Sequence, residues 1–426
     1  MVWLADFNMK YKTEAFDLWQ YLCANTFDPL IRCRMDFSGF VDEDVLKQAV
    51  TVSLNTIPMI SCGFGGDGCR PRWIDKGFTG NDMVHVIEAC KNAEADIFQC
   101  LSARIDFANE PQLKISIVRK SDGDTLCIII SHMICDAAGF KQYLYLLSEN
   151  YTKLKNKETI VAPAFSPRGI EPLFSNITLK EKIKILRSKY TAYKPANTIE
   201  QSGIDLKSEN FVTAMEKRII SSESFNKLKF YAKSNGATVN DCLMALFARA
   251  FCKNTGTDKI MFPSTMDLRK FIPQGEKYGS SNYSSNCICT TFVKPEDTLA
   301  DTVAQVSKQM NAHKSDKNIL KSVMLWGLAV HAPWPLIKRK FPKYAIHPLV
   351  SFTNLGIIDQ RRLSFNEVVI NDAYLTASIK PRPYLQLTAS TYDGRCTLGC
   401  NIYGSEADQI FVRKLLNDIC TEIETL

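Results

Sequence analysis

The chain lacks the usual signatures of a membrane-spanning or exported protein. No uninterrupted apolar run reaches the ~18 residues that a bilayer-spanning helix needs. The N-terminal sequence reaches a charged residue at Asp6, too early for a signal peptide. We therefore expect a soluble, cytoplasmic protein with no transmembrane segment.

The cysteines show no disulfide framework. There are fifteen, an odd number, scattered without regular spacing and often inside apolar segments. That pattern favours reduced, buried thiols. Cys287-x-Cys289 and Cys396-x₃-Cys400 fall in strand-like runs without adjacent histidines, so we expect no metal site.

Two further ligand classes receive little support. Gly63–Gly68 matches G-x-G-x-x-G, but a turn and an extended segment follow instead of the helix that a dinucleotide site requires. The basic residues form short patches such as 180–184, without the aromatic interleaving of a nucleic-acid surface. The net charge of +7 leaves room for a polyanion such as coenzyme A or an acidic carrier protein, although solubility is its simpler explanation.

The length and the order of the predicted elements indicate two similar halves. A chain of 426 residues is too long for most single cores. Strands alternate with helices in each half, which predicts an α/β fold. We expect an N-terminal subdomain over residues 1–178 and a C-terminal one over 211–426. Between them, residues 179–210 are polar and proline-marked, and predict a crossover linker with a basic helix near 179–192.

Local patterns predict individual elements. In the first half they indicate strands at 31–37 and 58–64, a helix capped by Asp42, a hairpin around 121–124 and a helix at 139–155. In the second half they indicate a strand at 211–220, a helix begun by a Thr238/Asp241 capping box, strands near 258–266, 286–293, 347–354, 384–392 and 395–403, and a helix at 405–424.

His132 is the leading catalytic candidate. It follows the buried strand pattern of 124–130, and Asp136 and small residues then open a helix. An imidazole, with an unperturbed pKa near ~6.5, can take and return a proton around neutrality. A buried histidine satisfied by a backbone carbonyl is the alternative, but the neighbouring residues favour catalysis. The other histidines, His85, His313, His331 and His347, lack such neighbours and are expected on the surface or in packing.

Several motifs occur in the order found in one superfamily. They are the HxxxD motif at Ser131–Ala137, Gly236–Asp241, Met266-Asp267-Leu268-Arg269, the segment from Tyr278-Gly279 through Asn286, and Ser351–Gly356. Through them the chain resembles the chloramphenicol-acetyltransferase-like acyltransferases, which include condensation domains, plant BAHD enzymes and alcohol acetyltransferases. Ser131 stands in place of the first histidine of HHxxxDG and Ala137 in place of its glycine, and the BAHD DFGWG element has no match.

The resemblance implies a fold and roles for individual residues. The fold would be two subdomains of mixed sheets flanked by helices, with an active-site tunnel between them. His132 would be the general base, and Asp136 would pair with Arg269 to support the catalytic loop. Ser284, Asn286, Ser351 and Asn354 are candidates for oxyanion or tunnel residues, although each is more simply a strand-edge hydrogen-bonding residue.

The resemblance also implies the reactants. We expect no bound cofactor: acyl-CoA, or a phosphopantetheine thioester on a carrier protein, would be the co-substrate. A small alcohol or amine would accept the acyl group. The alternatives are a stand-alone condensation-type enzyme that forms amides or esters from carrier-protein thioesters, and a non-catalytic binding module of the same fold.

Overall fold

The chain folds as two compact α/β units. The computed structural model describes residues 10–66, 70–161, 167–190, 210–274, 280–344 and 347–426. Unit 1 comprises Met1–Pro172, Pro273–Tyr283 and Ile357–Ser378, and unit 2 comprises Leu173–Ile272, Ser284–Gly356 and Ile379–Leu426. Two segments of the predicted C-terminal subdomain thus belong to unit 1. The predicted linker also differs: its helix belongs to unit 2, and residues 191–209 lie outside the described ranges.

The elements of unit 1 are as follows. Its strands are β1 (Lys10–Tyr11), β2 (Leu30–Phe37), β3 (Cys62–Gly65), β4 (Arg72–Asp75), β5 (Val84–Glu88), β6 (Leu113–Lys120), β7 (Gly123–Ser131) and β12 (Ile370–Thr376). Its helices are α1 (Ala15–Cys23), α2 (Glu43–Ser53), α3 (Gly80–Met83), α4 (Ala93–Ser102) and α5 (Ala137–Lys155).

The main sheet of unit 1 has β7 at its centre, in the order β12-β2-β7-β6-β5 among the described strands. Every residue of β7 is buried, as its continuous apolar run predicts. Among the described strands of this sheet, β5 and β6 are the one pair that runs parallel. The predicted β6–β7 hairpin is confirmed. Gly123, with φ of 144°, begins β7 where a Cβ would lie 2.4 Å from the Phe37 carbonyl oxygen.

Two other local predictions in unit 1 have different outcomes. Asp42 caps α2, its carboxylate accepting from the Val45 N–H at 3.1 Å, as predicted. The strand predicted at 58–64 is wrong in its first half, because Pro58–Ser61 forms a 3₁₀ turn before β3. Pro58 is suited to the first helical position because its φ is fixed near −65° and its missing N–H is not needed there.

The elements of unit 2 are as follows. Its strands are β8 (Val212–Ile220), β9 (Lys259–Asp267), β10 (Ser284–Phe292), β11 (Val350–Ile358), β13 (Lys380–Pro381), β14 (Leu385–Tyr392) and β15 (Arg395–Gly404). Its helices are α6 (Leu179–Arg187), α7 (Ser222–Ser234), α8 (Val239–Thr255), α9 (Leu299–Ser315), α10 (Leu320–Ala329), α11 (Trp334–Tyr344) and α12 (Glu406–Glu424).

The sheet of unit 2 is also mixed, with the described order β10-β9-β11-β14-β15-β13. One edge of β15 pairs with β8. The other edge pairs with β14 and, further along β15, with β13. The buried helix α8 begins with the predicted capping box: Asp241 N–H donates to Thr238 Oγ1 at 3.2 Å, and Thr238 N–H donates to Asp241 Oδ2 at 2.9 Å. The strands predicted for this half are confirmed to within a few residues.

The described cysteines form no disulfides. All fourteen described cysteines are free, and only Cys90 and Cys420 are not buried. Cys287 and Cys289 lie in β10, and Cys396 and Cys400 lie in β15. No group of three potential metal ligands occurs among the described residues. No helix in these ranges has both the length and the apolar character needed to cross a membrane.

Candidate active site

His132 lies in the turn that joins β7 to α5 in unit 1, and it is partly buried. Its N–H donates to the Pro29 carbonyl oxygen at 2.7 Å, beside the Leu30–Ser131 pairing of β2 with β7. Its own carbonyl oxygen accepts from Asn282 Nδ2 at 2.7 Å. The backbone of His132 is therefore held on both sides of its Cα.

Asp136 is the N-cap of α5. Its Oδ1 accepts from the Gly139 N–H at 2.9 Å, and its Oδ2 accepts from the Tyr283 N–H at 2.8 Å. Its own N–H donates to the Ser281 carbonyl oxygen at 3.3 Å. The carboxylate is 6% exposed, and each of its oxygens accepts from a backbone amide. These contacts give Asp136 a structural function in joining the helix, the turn and residues 281–283.

Arg168 binds the turn between His132 and Asp136 from another side. Its Nη2 donates to the carbonyl oxygens of Met133 at 2.9 Å and Ile134 at 3.1 Å, while its Nε donates to that of Ser280 at 2.5 Å. The same Nη2 forms an ion pair with Asp17 at 2.9 Å. Arg168 is 3% exposed and Asp17 is fully buried, so the pair is shielded from water.

Trp73 completes this buried group. Its indole Nε1 donates to Asp17 Oδ2 at 2.8 Å, and the Arg168 guanidinium carbon lies 5.8 Å from the centre of the indole ring. We refer to Arg168, Asp17 and Trp73 as the Arg168 cluster. The sequence pattern identified none of these residues, although Arg168 contacts the backbone of the predicted catalytic turn.

The segment 280–283 is bonded both to this turn and to the residues around Arg168. Ser281 Oγ donates to the Arg168 carbonyl oxygen at 2.9 Å, and Tyr283 Oη donates to that of Gly169 at 2.8 Å. Asn282, which holds the His132 carbonyl, is 1% exposed. Three segments far apart in the sequence thus form one hydrogen-bonded support for the turn.

A buried thiol lies near this support and is not suited to act as a nucleophile. Burial, and next the charge of Asp75, raise the pKa of Cys62 to about 12, and the nearby Arg168 opposes this only in part. A thiol with so high a pKa stays protonated at neutral pH, and the thiolate is the reactive form. Cys62 is therefore not a candidate nucleophile at neutral pH.

Two of the four oxyanion or tunnel candidates lie on β10 of unit 2. Ser284 is its first residue and is partly buried. Asn286 is exposed, and its backbone carbonyl oxygen accepts from Tyr190 Oη at 3.0 Å.

The other two lie on β11. Ser351 Oγ donates to the Leu385 carbonyl oxygen at the long distance of 3.5 Å. Asn354 is exposed, and its Nδ2 donates to Asn240 Oδ1 at 3.2 Å. Between them, Thr353 Oγ1 accepts from Gln386 Nε2 at 2.9 Å and lies 3.1 Å from Thr265 Oγ1, a polar group that the sequence analysis missed.

Arg269 lies in unit 2, in a 3₁₀ turn directly after β9. Its Nη1 is 3.2 Å from Asp267 Oδ1, which also accepts from the Arg269 N–H at 2.9 Å. The pairing of Arg269 with Asp136 remains a prediction. Tyr278-Gly279 of the resemblance, and Asp67-Gly68 of the glycine motif, lie outside the described residues.

Comparison with known proteins identifies the fold. No protein-family model and no curated protein sequence matches the chain. Solved structures match over nearly all of it. Polyketide synthase associated protein 5 from Mycobacterium tuberculosis aligns with a TM-score of 0.69 and 13% identity, over 98% of this chain and 100% of that one.

Two further structures align over nearly as much of each chain. The first condensation domain of the CDA synthetase has a TM-score of 0.68 and 11% identity, over 98% of this chain and 97% of its own. The TRI3 trichothecene 15-O-acetyltransferase from Fusarium sporotrichioides has a TM-score of 0.70 and 12% identity, over 97% and 96%. The chain therefore has the two-unit fold of condensation domains and chloramphenicol-acetyltransferase-like proteins, as predicted.

Proposed function

We propose that this chain is an acyltransferase that moves an acyl group from a thioester to an alcohol or amine, with His132 as the general base. The observation that carries the proposal is the support of the His132 turn. Its backbone is bonded at Pro29 and Asn282, and the carbonyls that follow are bonded by Arg168. The fold agrees with this, since proteins named as condensation domains and as an acetyltransferase share it.

The proposed reaction needs no covalent enzyme intermediate. The neutral imidazole of His132 takes the proton from the acceptor O–H or N–H as the acceptor attacks the thioester carbonyl. The tetrahedral intermediate then breaks its C–S bond, and the imidazolium returns the proton to the leaving thiolate. General-base catalysis contributes about 10²–10⁴-fold, whereas positioning two substrates can contribute ~7–11 kcal/mol.

The remaining assignments differ in their support. Asp136 and Arg269 are proposed to support the loop, and for Asp136 the two amide contacts agree with this. Among the oxyanion candidates, the Asn354 amide already donates to Asn240, whereas the Ser351 hydroxyl has only a long contact. Ser351 is therefore a better candidate donor than Asn354, and Ser284 and Asn286 follow as further candidates.

Coenzyme A is the proposed carrier of the acyl group, and a carrier-protein phosphopantetheine is the alternative. The net charge of +7 suits either polyanionic donor. The second candidate function is a condensation-type reaction between a carrier-protein thioester and an amine acceptor. The likeness to a condensation domain over 98% of the chain supports this candidate.

Mass spectrometry of acyl transfer tests the proposal. A panel of acyl-CoAs and of N-acetylcysteamine thioesters, which mimic a carrier arm, is incubated with pooled alcohols and amines. Acylated product and free thiol are both measured, because the fifteen cysteines would compromise a thiol dye. The wild type is compared with His132→Ala and with His85→Ala, which removes an exposed histidine from β5.

The expected result is turnover by the wild type and by His85→Ala, and loss of at least about 100-fold in folded His132→Ala. Partial rescue of His132→Ala by added imidazole would support a base over a structural function. Unchanged turnover in His132→Ala would refute the assignment. Thioester binding by the wild type without any turnover would instead support the binding-module alternative.

A further inference from the structure

The helices α10 and α11 of unit 2 follow one another across a short connection, and we refer to the two together as the α10–α11 hairpin. They are joined through residues 330–333, where the Val330 N–H donates to the Trp326 carbonyl oxygen. The ring centroids of Trp326 and Phe341 lie 5.6 Å apart, so the two helices are in contact at this point. Val323 on α10 and Ile337 on α11 are both buried.

Each helix of the hairpin exposes large apolar side chains. Leu325 and Leu328, one helical turn apart on α10, are 49% and 64% exposed, and Leu336 on α11 is 39% exposed. Pro333 and Pro335, in and just after the connecting turn, are also exposed. An exposed apolar cluster of this kind is characteristic of a surface that binds something.

The charge around these leucines has one sign. Residues 317–358 contain six lysines or arginines and no aspartate or glutamate. Arg339 and Lys343 follow Leu336 at spacings of three and seven residues, which places all three on the face of α11 opposite Ile337. Lys338, Arg339, Lys340 and Lys343 are exposed, and none of them forms an ion pair with another described residue.

Helix α6 extends the same chemistry beside α10. Lys321 on α10 donates to the Ser188 carbonyl oxygen just after α6, so the two helices are neighbours. Leu179 and Ile183 on α6 are 74% and 42% exposed. The acid of this helix, Glu181, is offset by Lys317 at 2.8 Å.

We propose that the α10–α11 hairpin binds the surface of an anionic phospholipid membrane. The leucines would enter the boundary between headgroups and acyl chains, while the lysines and arginine contact lipid phosphates and carboxylates. This is the arrangement by which amphipathic helices lie in a membrane interface without spanning it.

The exposed leucines favour a lipid surface over a dissolved acidic polypeptide. Cations alone suffice to attract a polyanion, and exposed leucines would add little to such a contact. A membrane interface uses both, because the two contributions add as the helix settles at the boundary. The proposal concerns binding alone, so it stands or fails independently of the proposed acyl transfer.

Vesicle co-sedimentation tests the proposal with the whole chain. Vesicles of phosphatidylcholine with 30% phosphatidylserine are compared with pure phosphatidylcholine vesicles at 100 mM salt. We expect binding to the anionic vesicles and at least tenfold weaker binding to the neutral ones. Raising the salt to 500 mM should weaken the binding, since surface charges are then screened.

Two hairpin variants separate the cationic and apolar contributions. Arg339→Gln/Lys340→Gln/Lys343→Gln should weaken binding to anionic vesicles ~100-fold, at about fivefold per cation. Leu328→Ser should weaken it about tenfold. All variants carry exposed substitutions, and their folding is checked by circular dichroism and melting temperature.

Matched controls lie elsewhere in unit 2. Lys227→Gln/Lys229→Gln/Lys233→Gln removes the same charge from exposed positions of α7, and Ile410→Ser removes a comparably exposed (55%) apolar side chain from α12. Both should bind vesicles like the wild type.

Three results would overturn the proposal. One is no binding of the wild type to anionic vesicles. Another is a loss in the control variants equal to that in the hairpin variants. The third is binding to polyglutamate as tight as to vesicles and insensitive to Leu328→Ser, which would assign the hairpin to an acidic protein partner.

Discussion

A single guanidinium supports the candidate catalytic turn. Arg168 donates to carbonyl oxygens of Met133, Ile134 and Ser280 while it pairs with the buried carboxylate of Asp17. Five N–H donors in a rigid planar group allow several such bonds at once, which the ammonium of a lysine cannot reproduce. The arginine therefore connects the turn to the buried carboxylate of Asp17.

Replacement of Arg168 should destabilise unit 1 and slow catalysis. Arg168→Met leaves the Asp17 carboxylate buried without its cation, and we expect a loss of ~3–5 kcal/mol in the free energy of unfolding. Asp17→Asn combined with Arg168→Met should cost less than the sum of the single changes, because no buried charge then remains. Urea denaturation followed by tryptophan fluorescence measures both.

Arg34→Met is the matched control, since Arg34 is 7% exposed and paired with Asp36 and Glu94 elsewhere in unit 1. It should reduce stability but leave the rate of acyl transfer unchanged in the folded protein, whereas the milder Arg168→Lys should reduce the rate. Equal rates in both variants would contradict a positioning function for Arg168.

The difference between His132 and Arg168 shows which site residues a sequence can reveal. His132 is identified locally, by the strand before it and by Asp136 and a helix after it. Arg168 follows a proline in a polar segment, and its partner Asp17 lies 151 positions away inside an ordinary amphipathic helix. No local pattern connects the two, because their contact depends on the tertiary fold.

At the scale of elements, the helix α5 depends on the same carboxylate that belongs to the HxxxD motif. Asp136 caps its N-terminus through Gly139 and also accepts from the Tyr283 N–H. The aspartate of the motif therefore contributes to the start of a helix. The support of the turn and the stability of α5 cannot be separated.

Asp136→Ala should cost ~2–4 kcal/mol in the free energy of unfolding, since it removes an N-cap and leaves the buried Tyr283 N–H without its acceptor. Asp136→Asn, which can still cap the helix, should cost less. Chemical denaturation compared with initial rates checks this. Normal stability of Asp136→Ala with a selective loss of rate would contradict the structural function.

Elements with local signals were predictable, and those without were not. The cap at Asp42, the β6–β7 turn and the Thr238/Asp241 capping box each depend on a few adjacent residues. Strand β12 mixes polar and apolar residues without regular alternation, so its own sequence carries little strand signal. It forms by pairing with β2, and this long-range contact overrides local preference.

At the scale of the whole molecule, a partly buried histidine in unit 2 links stability to pH. His347 packs against the Tyr384 ring at a centroid distance of 6.3 Å. Burial first, and then the charge of Lys380, lower its pKa to about 4. In the unfolded chain the pKa returns to ~6.5. The unfolded state therefore binds more protons than the folded state between pH ~6.5 and about 4.

The stability of unit 2 should accordingly fall as the pH decreases through that window, by as much as about 3 kcal/mol, and be unaffected by this group above it. His347→Gln should flatten this part of the stability profile, and His85→Gln, an exposed control, should not. Urea unfolding at pH 4 to 7.5 gives the comparison as a difference from the wild type, since carboxylates titrate in all three proteins. Parallel profiles for the wild type and His347→Gln would contradict the prediction.

The predicted pair of α/β subdomains is confirmed, but its simple order along the chain is not. Pro273–Tyr283 returns to unit 1 and supplies the residues that hold Asp136 and the His132 carbonyl. Ile357–Ser378 returns with β12. A domain boundary deduced from composition divides the chain into consecutive segments. These two later segments belong to unit 1 because of hydrogen bonds that form only in the folded chain.

The return of β12 also bears on how the protein is made. Phe37 of β2 pairs with Ile370 of β12, about 330 positions later. At ~5–20 residues per second, a ribosome needs on the order of 20–60 s to span that gap. Until then one side of β2 has no partner on the nascent chain. Fast translation of the later segments, or a chaperone covering that edge, should therefore raise the yield of native protein.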